Sequence, residues 1–302
     1  MNKHIFIDRL TAFIGALVAG KKKFFAKSVD SLNFEECIAA IKVENTSIEG
    51  EGVYNVKAQS PVGELDPAFL IAQWRGYENP TIIYHHGNNE RPFDFRKSAK
   101  NTFYNTLARQ KDSIEANLIA VRAPFHNIGL TYYQEKMTDL KNFVAMIATS
   151  VRLNEVLCQH LKNKSNTTVI TSGISLGGWV TNLHRAIYNS STAYVPLMAG
   201  TFLGELFLNS KYRKMSSELA LNNPEQIRSV LNFDELFKTQ NTNNLFPLLG
   251  KYDQFIEHNV QKESYEGYPL KTVECGHVTG AVSTKILGEH ILEILNSYNT
   301  NS

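Results

Sequence analysis

Apolar positions along this chain fall into short continuous runs separated by longer stretches of helical period. Thr81, Ile82, Ile83, Tyr84 and His85 form one run. Leu118, Ile119, Ala120 and Val121 form another, and Thr168, Val169, Ile170 and Thr171 a third. Residues 193–197 and 245–249 continue the series, and residues 271–274 close it. Unbroken apolar runs of this length, bounded by Gly, Pro or Asn, predict strands buried on both faces. Upstream, residues 48–58 alternate loosely and residues 69–75 are apolar, which predicts two earlier strands. Residues 95–110 and 130–162 read as helices. In the second, Leu140, Val144, Ile147 and Val151 recur at spacings of three and four, with Phe143 alongside. A helix through Trp179, Val180, Leu183 and Ile187 follows the third run, and residues 281–295 predict a terminal one. Strands alternating with helices predict an α/β fold: a mainly parallel sheet covered by helices on both faces. In such sheets sites form beyond the carboxyl ends of the strands. Residues 200–243 break the alternation. They are polar and helix-prone, with Pro224 and several Asn, and are expected to be an insertion arching over the strand ends to shape a pocket.

The N-terminal segment has a different character. Residues 5–20 are largely apolar, preceded by Lys3 and followed by Lys21, Lys22, Lys23 and Lys27. Asp8 and Arg9 interrupt the run, which is too short and too polar for a spanning helix. A secretory signal would want an uninterrupted apolar core and small residues at the cleavage site, and neither is clear in this segment. Two readings remain: a helix packed on the domain by its apolar face, or an amphipathic segment with a basic flank touching a membrane surface. A cytoplasmic protein, peripheral to a membrane in the second reading, is the expectation.

Composition narrows the class without naming a chemistry. The chain has 302 residues, 43% hydrophobic and 20% charged, which is ordinary for a folded globular protein. A net charge of +2, with no basic patch and no RNA-binding aromatic motif, gives no case for nucleic acid. Cys37, Cys158 and Cys275 are far apart and form neither a disulfide framework nor a metal-ligand spacing, which suits free buried thiols. No phosphate-binding loop and no dinucleotide fingerprint occurs. Asn-x-Ser/Thr matches begin at Asn45, Asn166 and Asn189 and carry little weight without an export signal.

Chemistry enters at Gly173, Ile174, Ser175, Leu176, Gly177 and Gly178. A serine between two glycines, on the turn from a buried strand into a helix, is the pattern of a nucleophile elbow. The helix N-terminus behind it favours the negative charge that forms in acyl transfer. A serine hydroxyl needs a base within reach, and the base needs an orienting acid. His277 follows the last strand and the bend at Gly276, where a base can reach back to the elbow; otherwise it is a surface-loop histidine. Asp253 lies between serine and histidine in chain order, just past the strand at 245–249, with Asp234 and Glu257 as rivals. Its structural alternative is a helix N-cap before Phe255. Oxyanion donors are expected from the backbone N–H of Leu176 and of Asn88, in the loop His86-Gly87-Asn88. His85 and His86 then have structural rather than metal-binding roles.

With these residues assembled, the chain resembles the α/β-hydrolase superfamily over roughly residues 50–298. The matching positions are His86-Gly87 after the third strand, the Gly173 to Gly178 elbow, Asp253 after the seventh strand and His277 after the eighth. The resemblance implies an eight-stranded sheet, a Ser175–His277–Asp253 triad and an acyl-enzyme intermediate; from the missing motifs and ligand spacings, no cofactor and no metal is expected. The extended His-Gly-Gly-Gly motif of some lipases is absent, since Asn88 and Asn89 follow Gly87. The elbow, polar cap and apolar N-terminal helix also look like a branch of hydrolase-domain proteins bearing an N-terminal helix. One domain is expected, with a helical extension at 1–30 and a cap at about 200–243.

The leading expectation is a serine hydrolase acting on a small-molecule acyl ester or thioester. Its rivals are a membrane-surface or partner-binding protein on the same scaffold, and an acyltransferase using the same triad. The sequence does not give acyl length or oligomeric state.

Overall fold

A computed structural model describes residues 2–44, 47–96 and 98–299; Asn45, the first of the sequons, lies outside them. The main sheet has eight strands: β1 Gly52–Asn55, β2 Ala68–Gln73, β3 Thr81–His85, β4 Asn117–Arg122, β5 Val169–Ile174, β6 Ala193–Leu197, β7 Leu248–Gly250 and β8 Lys271–Val273. Their spatial order is β1-β2-β4-β3-β5-β6-β7-β8. Pairing is parallel from β4 through β3 to β8, and antiparallel only where β2 meets β1 and β4. Every residue of β3, β5 and β6 is buried, as a sheet covered on both faces requires. Strand order reverses between β3 and β5. Their carboxyl ends therefore open a crevice at the topological switch point.

The covering helices follow the apolar pattern. We label α1 Lys3–Ala19, α2 Leu140–Lys164, α3 Leu176–Ile187, α4 Leu203–Leu208, α5 Pro224–Leu231, α6 His277–Ala281 and α7 Thr284–Asn299. Leu140, Phe143, Val144, Ile147 and Val151 of α2 are all buried, against the face of the sheet that also receives Leu176, Trp179 and Val180 of α3. The opposite face packs Ile82, Leu118 and Ile170 with Leu287 and Ile291 of α7. Between β6 and β7 lie α4, α5 and three further short helical turns.

Several expected elements differ in extent, each for a tertiary or local reason. The helix expected over 130–162 is two, Leu130–Lys136 and α2. The backbone at the break bonds instead to the segment after α1: Phe25 N–H donates to Met137 O and Leu140 N–H to Ser28 O, each at 3.0 Å. The stretch at 95–110 begins its helix only at Thr102, where Asn101 accepts from Tyr104 N–H, and it passes into a 3₁₀ turn after Leu107. The strand expected over 245–249 is interrupted: Leu245 forms an isolated bridge with Tyr194 of β6, and β7 proper runs from Leu248, past Pro247, which has no N–H for the ladder. The helix expected over 281–295 is α7, which starts at Thr284 after α6 has ended.

The N-terminal helix packs with its apolar face turned the other way from the packing reading. Asp8, Ala12 and Ala19 face inward, and Gly15 lies so close to Met215 that a Cβ would sit 3.0 Å from its sulfur. Phe6, Leu10, Phe13, Ile14, Leu17 and Val18 face outward, Leu17 at 67% exposure. Small side chains on one face let α1 lie flat on the turn Lys211–Met215 and on α6.

Candidate active site

At the end of β5 the chain turns sharply at Ser175, with φ 53° and ψ −109°. A non-glycine residue in this region stores strain of order 1–3 kcal/mol, retained where the surroundings enforce it. Here they do: Ser175 N–H donates to Leu197 O at 2.9 Å, clamping the turn onto β6. The glycines are needed for close approach. A Cβ on Gly173 would lie 2.5 Å from Gly177 backbone, and one on Gly177 2.1 Å from His85 O. The hydroxyl is left partly exposed above the first turn of α3.

Ser175 Oγ lies 3.1 Å from His277 Nε2, and His277 Nδ1 lies 2.8 Å from Asp253 Oδ2. The carboxylate can only accept, so Nδ1 carries the proton and Nε2 presents its lone pair to the hydroxyl. The other oxygen of Asp253 accepts from Phe255 and Ile256 N–H, each at 2.8 Å. Asp253 thus serves both alternatives raised by the sequence: Oδ1 caps a turn and Oδ2 holds the imidazole. Its rivals are turned elsewhere. Asp234 pairs with Lys238 one helical turn on, and Glu257 feels the charges of Lys211 and Asp253. Burial opposes the charged form of His277, but Asp253 and Asp8 outweigh it and raise its pKa above the ordinary 6.5.

Asp8 was not singled out by sequence reasoning. It is fully buried on α1, and both its oxygens accept from the loops that carry the relay. Oδ2 takes His277 N–H at 2.8 Å and Gln254 N–H at 3.1 Å, and Oδ1 takes Val278 N–H at 3.0 Å. One carboxylate thereby caps the first turn of α6 and ties it to the residue after Asp253. A Cβ on Gly276 would meet Asp8 Oδ2 at 2.7 Å, so Gly276 makes room for it. His4 adds a contact to the same helix, with Nδ1 2.7 Å from Thr279 Oγ1. The available signal was a single acidic residue inside an apolar run.

The loop after β3 faces the serine. Gly87 and Asn88 border the same cavity as Ser175 and Leu176. The N–H of Leu176, at the first position of α3, has no acceptor within its own helix. A Cβ at 87 would sit 2.8 Å from Glu90 Oε1, so any larger residue there would have to displace that carboxylate. Glu90 is a second buried carboxylate that sequence reasoning missed. It accepts from Thr102 N–H at 2.9 Å and Thr102 Oγ1 at 2.7 Å, fastening the loop from below. His86 fastens it from behind. Ala123 N–H donates to its Nε2 at 3.0 Å, so its Nδ1–H donates to Gly87 O at 2.6 Å. With both ring nitrogens committed to backbone, His86 sits as a neutral framework group, its pKa well below 6.5 through burial and the nearby His126. His85 is buried as well, and burial holds its pKa down at about 3. Cys275, free and buried, has its thiol pushed up to about 12 by burial and by Asp253.

Beside the hydroxyl lies a cavity of about 220 Å³. Its walls are mainly apolar and come from distant parts of the chain: Phe24, Phe143, Trp179, Phe207 and Phe255, with Leu203 and Leu206 of α4. Thr11 of α1 and Val282 also border it.

No family model matches the sequence, and no curated protein matches it. Solved structures do. An esterase of Pyrococcus furiosus superposes with TM-score 0.54 at 15% identity, over 82% of this chain and 93% of that one. Acetyl xylan esterase 1 of Thermoanaerobacterium gives 0.53 at 12% identity, over 93% of each chain. Acylaminoacyl peptidase of Pyrococcus horikoshii gives 0.53 at 12% identity, over 80% of this chain; the chain spans only 41% of the peptidase's length. Identities this low speak to architecture. Taken with the strand order and the turn at Ser175, they establish that this chain has the α/β-hydrolase fold.

Proposed function

We propose that the protein is a serine hydrolase that cleaves an acyl ester or thioester. The observation that carries this reading is the continuous relay from Ser175 Oγ through His277 to Asp253, opening on an apolar cavity. Ser175 Oγ attacks the substrate carbonyl while His277 Nε2 takes its proton. Asp253 holds the tautomer and stabilises the imidazolium. Backbone N–H groups of Leu176 and Asn88 receive the oxyanion, each worth about 3 kcal/mol of transition-state stabilisation. His277 then protonates the leaving alcohol or thiol, and water, activated by the same imidazole, releases the acid from Ser175. Asp8 acts as a positioning residue, holding the His277 and Asp253 loops in register. The helices between β6 and β7 act as a cap, since α4 supplies part of the cavity wall.

Apolar walls favour an apolar acyl or leaving group, for burial is worth roughly 25 cal/mol per Å². The neighbours in three dimensions include esterases and an acyl peptidase, which supports the same reaction class. Turnover of a short p-nitrophenyl ester and labelling by a fluorophosphonate test the proposal. Both are expected in the native protein and neither in Ser175→Ala; equal activity in the two would reject it.

A further inference from the structure

We infer that α1 docks the protein on an anionic lipid surface through its outward apolar stripe, setting the mouth of the cavity against that surface. The stripe is continuous. Phe6, Leu10, Phe13, Ile14, Leu17 and Val18 are all 45% exposed or more, and they recur at spacings of one, three and four along the helix. An exposed apolar face of this length marks an interaction site. The opposite face is already used, because it packs on α6 and delivers Asp8.

Charge selects the occupant. The one acidic residue of α1 is Asp8, and it is buried among backbone N–H groups. Every exposed charge on α1 and the turn after it is therefore positive: Lys3 and Arg9 on the helix and Lys21 beyond it, with Lys23 half-buried nearby and Lys22 half-buried and paired with Glu135. Lys214 adds another beside the stripe, its ammonium over the Phe13 ring. Apolar side chains ringed by cations fit the interface of a bilayer bearing anionic headgroups. A second copy of this chain would bring the same cations together. At 17 residues, α1 is too short to cross a bilayer, and no described helix is long and apolar enough to do so.

The site lies within reach of the same surface. Thr11 of α1 and Val282, which is 73% exposed, border the cavity holding Ser175, and the exposed Lys100 stands at its rim. An apolar ester leaving the bilayer beside α1 meets this opening before it meets bulk water. This last step rests on the proposed hydrolase reading; docking itself does not.

Flotation of the full chain with vesicles tests docking without turnover. Deleting α1 would also remove Asp8, so the variants change only outward side chains: Phe13→Glu with Leu17→Glu, and Lys21→Glu with Lys23→Glu. The native protein is expected to float with vesicles of phosphatidylcholine plus phosphatidylglycerol and much less with phosphatidylcholine alone. Either pair of substitutions should lower recovery by about tenfold or more, with soluble-ester turnover unchanged. Ser175→Ala should float like the native protein, which separates a failure of docking from a failure of the hydrolase reading. No flotation of the native protein, or equal flotation of all variants, overturns the inference. So does a dimer in solution that Phe13→Glu with Leu17→Glu dissociates while vesicle recovery is unaffected.

Discussion

Replacing Asp8 by Asn keeps shape and removes a charge, so it isolates what the buried carboxylate does for His277. The carboxylate accepts three backbone N–H bonds on its two oxygens. An amide has one accepting oxygen, so its NH₂ must face at least one of those donors. Bonds to a charged group contribute about 1.5–3 kcal/mol each, and the loss falls on the loops that align the relay. Global stability should change far less. Burial raises the Asp8 carboxyl pKa above its ordinary 3.8, helped by nearby Asp253 and against the three N–H bonds. A raised carboxyl pKa means that folding disfavours the charge, so the ionised group already costs stability above that pKa. Removing the charge recovers that cost and offsets the lost bond. The expected result is unfolding free energy within about 1 kcal/mol of native, with kcat/KM for a soluble ester about 10- to 100-fold lower, at 1.4 kcal/mol per decade. Asp8 is also one of the anions that raise the His277 pKa, so the acid limb of the pH–rate profile should move to lower pH. A folded Asp8→Asn protein with native kcat/KM and an unmoved acid limb would refute the positioning role.

The native pH profile has a defined sign. In the proposed reaction His277 must be neutral to act as base, so kcat/KM should fall as pH drops, with an inflection above the ordinary 6.5. The favourable contact of protonated His277 with Asp253 has the opposite trend: its contribution to stability is full below about 6.5 and is lost as pH rises through the raised value. Denaturant unfolding across pH 6–9, set beside the rate profile, checks both. At the elbow, Ser175→Gly and Ser175→Ala should both be inactive but differ in stability. Glycine relieves a positive φ worth about 1–2 kcal/mol and gives back about 0.5–1 in chain entropy, leaving it about 0.5–1 kcal/mol more stable than alanine. Equal midpoints in urea would show that Ser175 is not strained. Gly177→Ala should fail to label with a fluorophosphonate, since its Cβ would lie 2.1 Å from His85 O; normal labelling would mean that the β3–α3 contact yields without moving the serine.

Much of the architecture was legible because it is local. Buried parallel strands announce themselves as unbroken apolar runs, and Thr81–His85 and Ala193–Leu197 lie where those runs were read. Glycines around Ser175 marked the sharp turn, and the serine, aspartate and histidine could be ranked by their places after successive strands. The structure then set all three side chains within hydrogen-bond distance. Less was legible where partners lie far apart in sequence. The break between Lys136 and Leu140 comes from hydrogen bonds to residues 25–28, which no periodicity within 130–162 encodes.

The N-terminal helix shows the division most clearly. Composition and spacing alone marked residues 5–20 as an apolar segment with cationic flanks, too short and too polar to span a bilayer. They did not determine which face turns inward, because burial is decided by the shape of the surface a helix meets. Here that surface is close-set backbone with free N–H groups at the start of α6. It accepts Asp8, while Gly15 closes on Met215 further along, and Phe6, Leu10 and Leu17 are left in solvent. Sequence supplied the chemical groups; the order of strands in the sheet, which brings residues 175, 253 and 277 together, and the packing of α1, which adds residue 8, decided what they can do.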